Sequence, residues 1–210
     1  MLDLDAALLE RSGGTEVVVV PTAAAYERPD HVVALATEHF RGLGATVSAL
    51  RVTTRHDLSD ATVAPLADAK FVYIADGSPL HLRSVVKDSL LYAALLRAVE
   101  NGAVIAASGA GATLLGDPMV DPRGGAFTVG LGFVSDLAVF PAYGPSNEHL
   151  WERSKVLLPE TATLVGLEEH AALIRDPDGD WRVAGEGNVT VYRKHRDEVT
   201  TAAPAPISLV

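Results

Sequence analysis

The stretch that most constrains this chain is residues 102–116, Gly-Ala-Val-Ile-Ala-Ala-Ser-Gly-Ala-Gly-Ala-Thr-Leu-Leu-Gly. It reads as a short apolar strand, a turn built only from Gly, Ala and Ser, and the first turns of a helix. Small residues let the backbone bend sharply and leave amide N–H groups pointing outward where the helix begins. The tip of the turn is Gly109, flanked by Ser108 and Ala110. A strand followed at once by a helix demands a sheet whose strand ends open onto helix starts.

The rest of the first half repeats that unit. Glu-Val-Val-Val-Val-Pro at 16–21 is a continuous β-branched run, the mark of a strand covered on both faces of a parallel sheet. Strands are expected at 46–52 and 71–75, with helices at 29–43, 60–69, 80–86 and 89–100. Asp76-Gly77-Ser78-Pro79 is a turn that places Pro at the first position of a helix. Residues 117–132, rich in Gly and Pro, are expected to form an irregular surface segment. A strand at 136–140 and a helix at 148–157 follow. Short apolar runs at 163–167, 171–175, 181–184 and 188–192, separated by turns such as Asp176-Pro177-Asp178-Gly179, predict an antiparallel meander along one sheet edge. This order indicates an α/β domain over residues 1–193: a doubly wound, flavodoxin-like, mostly parallel sheet with helices on both faces and a C-terminal antiparallel β extension. The tail, 194–210, carries Ala203-Pro204-Ala205-Pro206 and is expected to be disordered.

Composition narrows the chemistry. A net charge of −10 disfavours binding to nucleic acid or anionic membranes, which requires basic surface. The absence of cysteine removes disulfides, thiolate metal sites and a Cys nucleophile. No phosphate-binding loop, dinucleotide fingerprint or zinc-ligand spacing is present, so no cofactor or metal is expected. The start, Met-Leu-Asp-Leu-Asp, lacks the basic and apolar regions of a signal peptide, and the expected compartment is the cytoplasm.

Several segments in order resemble one family, the peptidase E and cyanophycinase group of serine peptidases, whose fold is that of class I glutamine amidotransferases. They are 76–82 (Asp-Gly-Ser-Pro-Leu-His-Leu), 107–116, 117–125 (Asp-Pro-Met-Val-Asp-Pro-Arg-Gly-Gly), 140–143 (Phe-Pro-Ala-Tyr) and 166–173 (Gly-Leu-Glu-Glu-His-Ala-Ala-Leu). In the family the glycine-rich turn is a nucleophile elbow, a strained strand-to-helix turn that presents a Ser above the sheet. Its pattern, Gly-Thr-Ser-Ala-Gly-Ala, laid on Ala110-Gly111-Ala112, puts Gly109 at the nucleophile. The general-base His falls on Ala142, beside Tyr143. A glycine of the family's oxyanion turn falls on Asp76, beside Gly77 and Ser78.

The resemblance therefore implies a serine-peptidase fold without its nucleophile and base. Loss of either one in a comparable triad costs about 10⁶ in turnover. The function expected is that of a non-hydrolytic pseudoenzyme, which binds a small polar ligand or a protein partner, the latter being a second copy or an active paralogue. The ligand would meet Asp76, Gly77, Ser78, Ser108, Gly109, Ala110, Ala142 and Tyr143. The alternative is an amide or peptide hydrolase, or another enzyme, with displaced catalytic residues drawn from Ser108, Asp121, His81 and Asp76. For each of these a plainer role is also open. Ser108 can satisfy turn backbone groups, Asp121 can brace its loop through Arg123, and His81, His149 and His170 can be surface or capping residues. Glu168 and Glu169 fit a ligand contact or a solvated turn equally well.

Overall fold

The computed structural model describes residues 2–209, which divide into two compact units, Leu2–Ala112 and Thr113 onward. Met1 and Val210, the outer ends of the expected domain and tail, lie outside the described residues.

The first unit begins with α1 (Leu2–Ser12) and β1 (Glu16–Val20), followed by α2 (Pro29–Gly42) and β2 (Thr46–Ala49). After the short α3 (Asp60–Val63) come β3 (Phe71–Ile74), α4 (Pro79–Val86), α5 (Leu90–Glu100) and β4 (Val104–Ala107). All pairings are parallel, in the order β2-β1-β3-β4. The four valines of β1 are at most 2% exposed, as a strand covered on both faces requires. Ala36 and Phe40, one helical turn apart on α2, pack with Leu9, Val17, Val19 and Phe71. The Phe40 ring meets Phe71 and Tyr73 edge-on, both at 5.6 Å. Ser78 and Ser89 cap α4 and α5 by accepting from the backbone N–H of His81 and Tyr92.

The chain leaves the first unit within α6 (Ala110–Leu115). The second unit contains β5 (Gly116–Asp117), β6 (Met119–Asp121), β7 (Ala126–Thr128), β8 (Val134–Ser135), β9 (Leu137–Phe140) and α7 (Glu148–Leu157). It continues with β10 (Thr163–Leu167), β11 (Ala171–Arg175), β12 (Trp181–Gly185), β13 (Asn188–Tyr192), β14 (Val199–Ala202) and β15 (Ala205–Pro206). A six-stranded sheet has the order β14-β13-β10-β9-β5-β8, and β11-β12-β15 form a separate antiparallel sheet. Trp151, fully buried on α7, anchors the core against Phe140 (5.6 Å) and Tyr143 (4.7 Å), and its Nε1–H donates to Glu198 Oε2 at 3.1 Å.

The α/β class, with mainly parallel pairing and antiparallel strands toward the C-terminus, is as expected. Three details differ. The run at 163–167 is not part of a meander: β10 pairs in parallel with β9 and antiparallel with β13, because α7 carries the chain back to start β10 beside the start of β9. The glycine- and proline-rich segment at 117–132 is not wholly irregular, since β6 and β7 form a hairpin there. The segment from 194 is not a disordered tail. β14 extends the sheet beside β13, with the Thr190 and Thr200 hydroxyls 3.0 Å apart, and β15 pairs with β12. Ladder bonds and the Glu198 contacts offset an ordering cost that its polar composition alone would not.

Candidate functional site

In the first unit the carboxyl ends of β3 and β4 stand side by side, with Ile74 opposite Ala107. This is the edge at which open α/β sheets take ligands. The turn after β3 is Asp76-Gly77-Ser78, and the turn after β4 is Ser108-Gly109-Ala110. Gly77 has φ +146°, and a Cβ there would strike the carbonyl of Ala23, so only glycine fits. That approach lets the Ser78 N–H donate to Ala23 O at 2.9 Å. Gly109 has φ +45°, and a Cβ on it would collide with the carboxylate of Asp76.

The Asp76 carboxylate fills the seat over Gly109. Its Oδ1 accepts from two backbone N–H groups, those of Gly77 and Ala110, each at 2.7 Å. Those donors come from the two turns that face each other, the arrangement that receives an oxyanion in acyl transfer. Asp76 is otherwise exposed. An internal carboxylate thus holds the place of both a side chain at residue 109 and a developing negative charge.

Ser108 is bound elsewhere. Its hydroxyl pairs with the Tyr73 phenol at 2.8 Å, and its N–H donates to Ile74 O. Burial holds the Tyr73 phenol above its ordinary pKa, and the charges of Asp5 and Asp76 add to that, against the Ser108 hydrogen bond. A phenol that stays protonated at neutral pH cannot take a proton from Ser108. His81 sits on α4 with Nε2 at 2.8 Å from Thr53 O and its ring edge-on to Tyr26, away from the elbow bonds. Nothing in the sequence pairs Tyr73 with Ser108 in advance, although both end adjacent strands.

The remaining sequence-derived residues belong to the second unit. Asp121 accepts from Arg123 through N–H, Nε and Nη2, the last at 2.6 Å, and the guanidinium lowers its pKa. This is the bracing role. Ala142 follows β9 with φ +51°, its carbonyl accepting from Asn147 Nδ2. The Tyr143 N–H donates to Leu167 O, and its ring lies against Trp151 and close over Gly166, where a Cβ would come to 3.0 Å from the ring. Glu168 Oε2 accepts from the backbone and side-chain nitrogens of Asn188, so it braces a strand end. His149, Glu169 and His170 are exposed. Among the described residues no cluster of His, Asp or Glu could hold a metal, and no helix is long and apolar enough to cross a membrane.

The profile of peptidase family S51 matches residues 1–180. The chain belongs to peptidase family S51. Among curated relatives, it is similar to the cyanophycinase of Synechococcus elongatus, with 26% identity over 194 residues, or 87% of this chain. It spans about 60% of the length of that relative. Its fold is that of a peptidase from an acI-B1 actinobacterium, at a TM-score of 0.86 and 23% identity, with 99% of this chain and 90% of the other covered. It also matches a Listeria monocytogenes EGD-e protein assigned to peptidase E, at a TM-score of 0.62 and 16% identity, covering 96% of this chain and 93% of that one. The resemblance in the sequence is thus borne out for the S51 family and for its fold.

Proposed function

We propose that this S51 chain is a non-hydrolytic member of its family, which acts in the cytoplasm by binding a small polar ligand or a protein partner. The observation that carries this reading is the Asp76 carboxylate seated over Gly109 and bonded to the Gly77 and Ala110 N–H groups. Hydrolysis through the family mechanism needs a nucleophile at residue 109 and two free donors for the oxyanion. Here residue 109 has no side chain, and the donors are already satisfied by a full negative charge. One lost oxyanion donor alone costs about 10²–10³ in turnover. A displaced mechanism through Ser108 finds no support, because its hydroxyl is bonded to a phenol rather than to an imidazole.

Incubation with a fluorophosphonate probe and with Asp-X dipeptides tests the reading. The expected result is no labelling and no cleavage above buffer. Stoichiometric labelling of Ser108, lost in Ser108→Ala, would overturn it and establish the displaced-nucleophile enzyme.

A further inference from the structure

A second feature lies wholly in the second unit, at the amino ends of β9 and β10, opposite the end that carries Tyr143. Leu137 and Thr163 begin those strands, and beside them opens a groove of about 720 Å³, within the range of small-molecule sites. Four cationic side chains line it, Arg175, Arg193, Lys194 and Arg196, against two carboxylates, Asp136 and Glu160. The imbalance is the reverse of the chain as a whole, whose net charge is −10.

The pairing inside the groove sharpens it. Glu160 is taken by Lys194 at 3.1 Å and faces His195 at 3.3 Å. Asp136 Oδ1 accepts from the Thr161 hydroxyl. Among the described residues, none of the three guanidiniums forms an ion pair. Arg175 lies over the Trp181 ring, 5.9 Å from its centroid. Arg193 spends its donors on neutral acceptors, Nε on Thr163 Oγ1 and Nη2 on Ser208 O, each at 3.1 Å. Partial burial and the nearby charge of Arg196 both weaken the hold of Arg193 on its proton. Elsewhere in this unit Arg123 and Arg182 each have a carboxylate partner. The groove therefore carries an excess of positive charge, four cations against two carboxylates, and a bound counter-charge would relieve their mutual repulsion.

We infer that this groove is a binding site for a small multivalent anion, a molecule carrying two or more phosphate or carboxylate groups. Guanidinium forks suit both groups, since each offers paired oxygens to two parallel N–H donors. Arg193 is held in place by Thr163 and Ser208, which pre-orients it. Arg175 and Arg196 are exposed and would turn onto the ligand. Trp181 supplies an apolar wall. The inference does not depend on the state of the elbow, which lies in the other unit.

The test is calorimetric titration of the full chain, at low salt, with inorganic pyrophosphate in one arm and citrate in the other. At least one should bind saturably with a Kd below about 1 mM, and raise the unfolding temperature by an amount that grows as ln(1 + c/Kd), with c the free anion concentration. Arg175→Gln and Arg196→Gln should each weaken that binding by about tenfold, while Arg51→Gln, in the first unit, should leave it unchanged. Pyrophosphate alone binding assigns a phosphate ligand, and citrate alone a polycarboxylate. A Kd above about 1 mM for both would overturn the inference, and so would equal affinity in the Arg175→Gln/Arg196→Gln double variant. Both arginines are surface residues, and circular dichroism of the variants separates lost binding from lost fold.

Discussion

The contact between Asp76 and Gly109 can be measured as a coupling energy. Gly109→Ala places a methyl group where the carboxylate sits, at a φ of +45°. The left-handed conformation alone costs about 1 kcal/mol for an L-residue. The carboxylate must also leave two N–H donors. Hydrogen bonds to charged groups contribute about 1.5–3 kcal/mol each, and the exposure of Asp76 reduces the pair to about 2 kcal/mol. Gly109→Ala should therefore destabilise the chain by about 3 kcal/mol, and Asp76→Ala by about 2 kcal/mol. The double variant loses the two hydrogen bonds only once, so it should stand about 3 kcal/mol below the parent rather than 5, a coupling of about 2 kcal/mol. Urea unfolding of the four proteins reads this directly, provided the slopes agree. Additivity to within about 0.5 kcal/mol would refute the reasoning, because it would mean that the carboxylate does not need the space above Gly109.

Trp151→Ala should cost about 3–5 kcal/mol in the same assay, since the ring is fully buried against Phe140 and Tyr143; Trp151→Phe, which loses mainly the bond to Glu198, should cost far less. The Asp57 carboxyl is lowered from 3.8 to about 2, first by the N–H groups of Thr53 and Thr54. A depressed carboxyl contributes stability that is complete above its unfolded pKa and lost as pH falls through the folded one. Part of the acid destabilisation between about pH 4 and 2 should therefore vanish in Asp57→Asn, as followed by the unfolding temperature.

The architecture was legible where one residue type settles an environment. Four valines in a row at 17–20 admit only a strand covered on both faces, and that is what β1 is. The spacing of Ala36 and Phe40 likewise fixes the inner face of α2. Partners were less legible than elements. The residues of β10 read as a strand, but nothing in Thr-Leu-Val-Gly-Leu says whether β9 or β11 lies beside it. The three-residue strands β6 and β7 are too short to show a period, and the polar run through β14 gains its order from β13 and from Glu198. At the elbow the sequence places a carboxylate in a turn where the family resemblance implies glycine. Its repulsion of an oxyanion can be argued from charge alone. That one oxygen bridges the N–H groups of Gly77 and Ala110 depends on two turns meeting 34 residues apart, a distance no local pattern spans.

As seated, the carboxylate of Asp76 takes the space that a side chain at residue 109 would fill. Overlap of that kind couples the two positions. A hydroxymethyl group placed at 109 would have to turn a bonded carboxylate out toward solvent before it could yield any chemistry. The cost of regaining a nucleophile is therefore set at residue 76 as much as at residue 109.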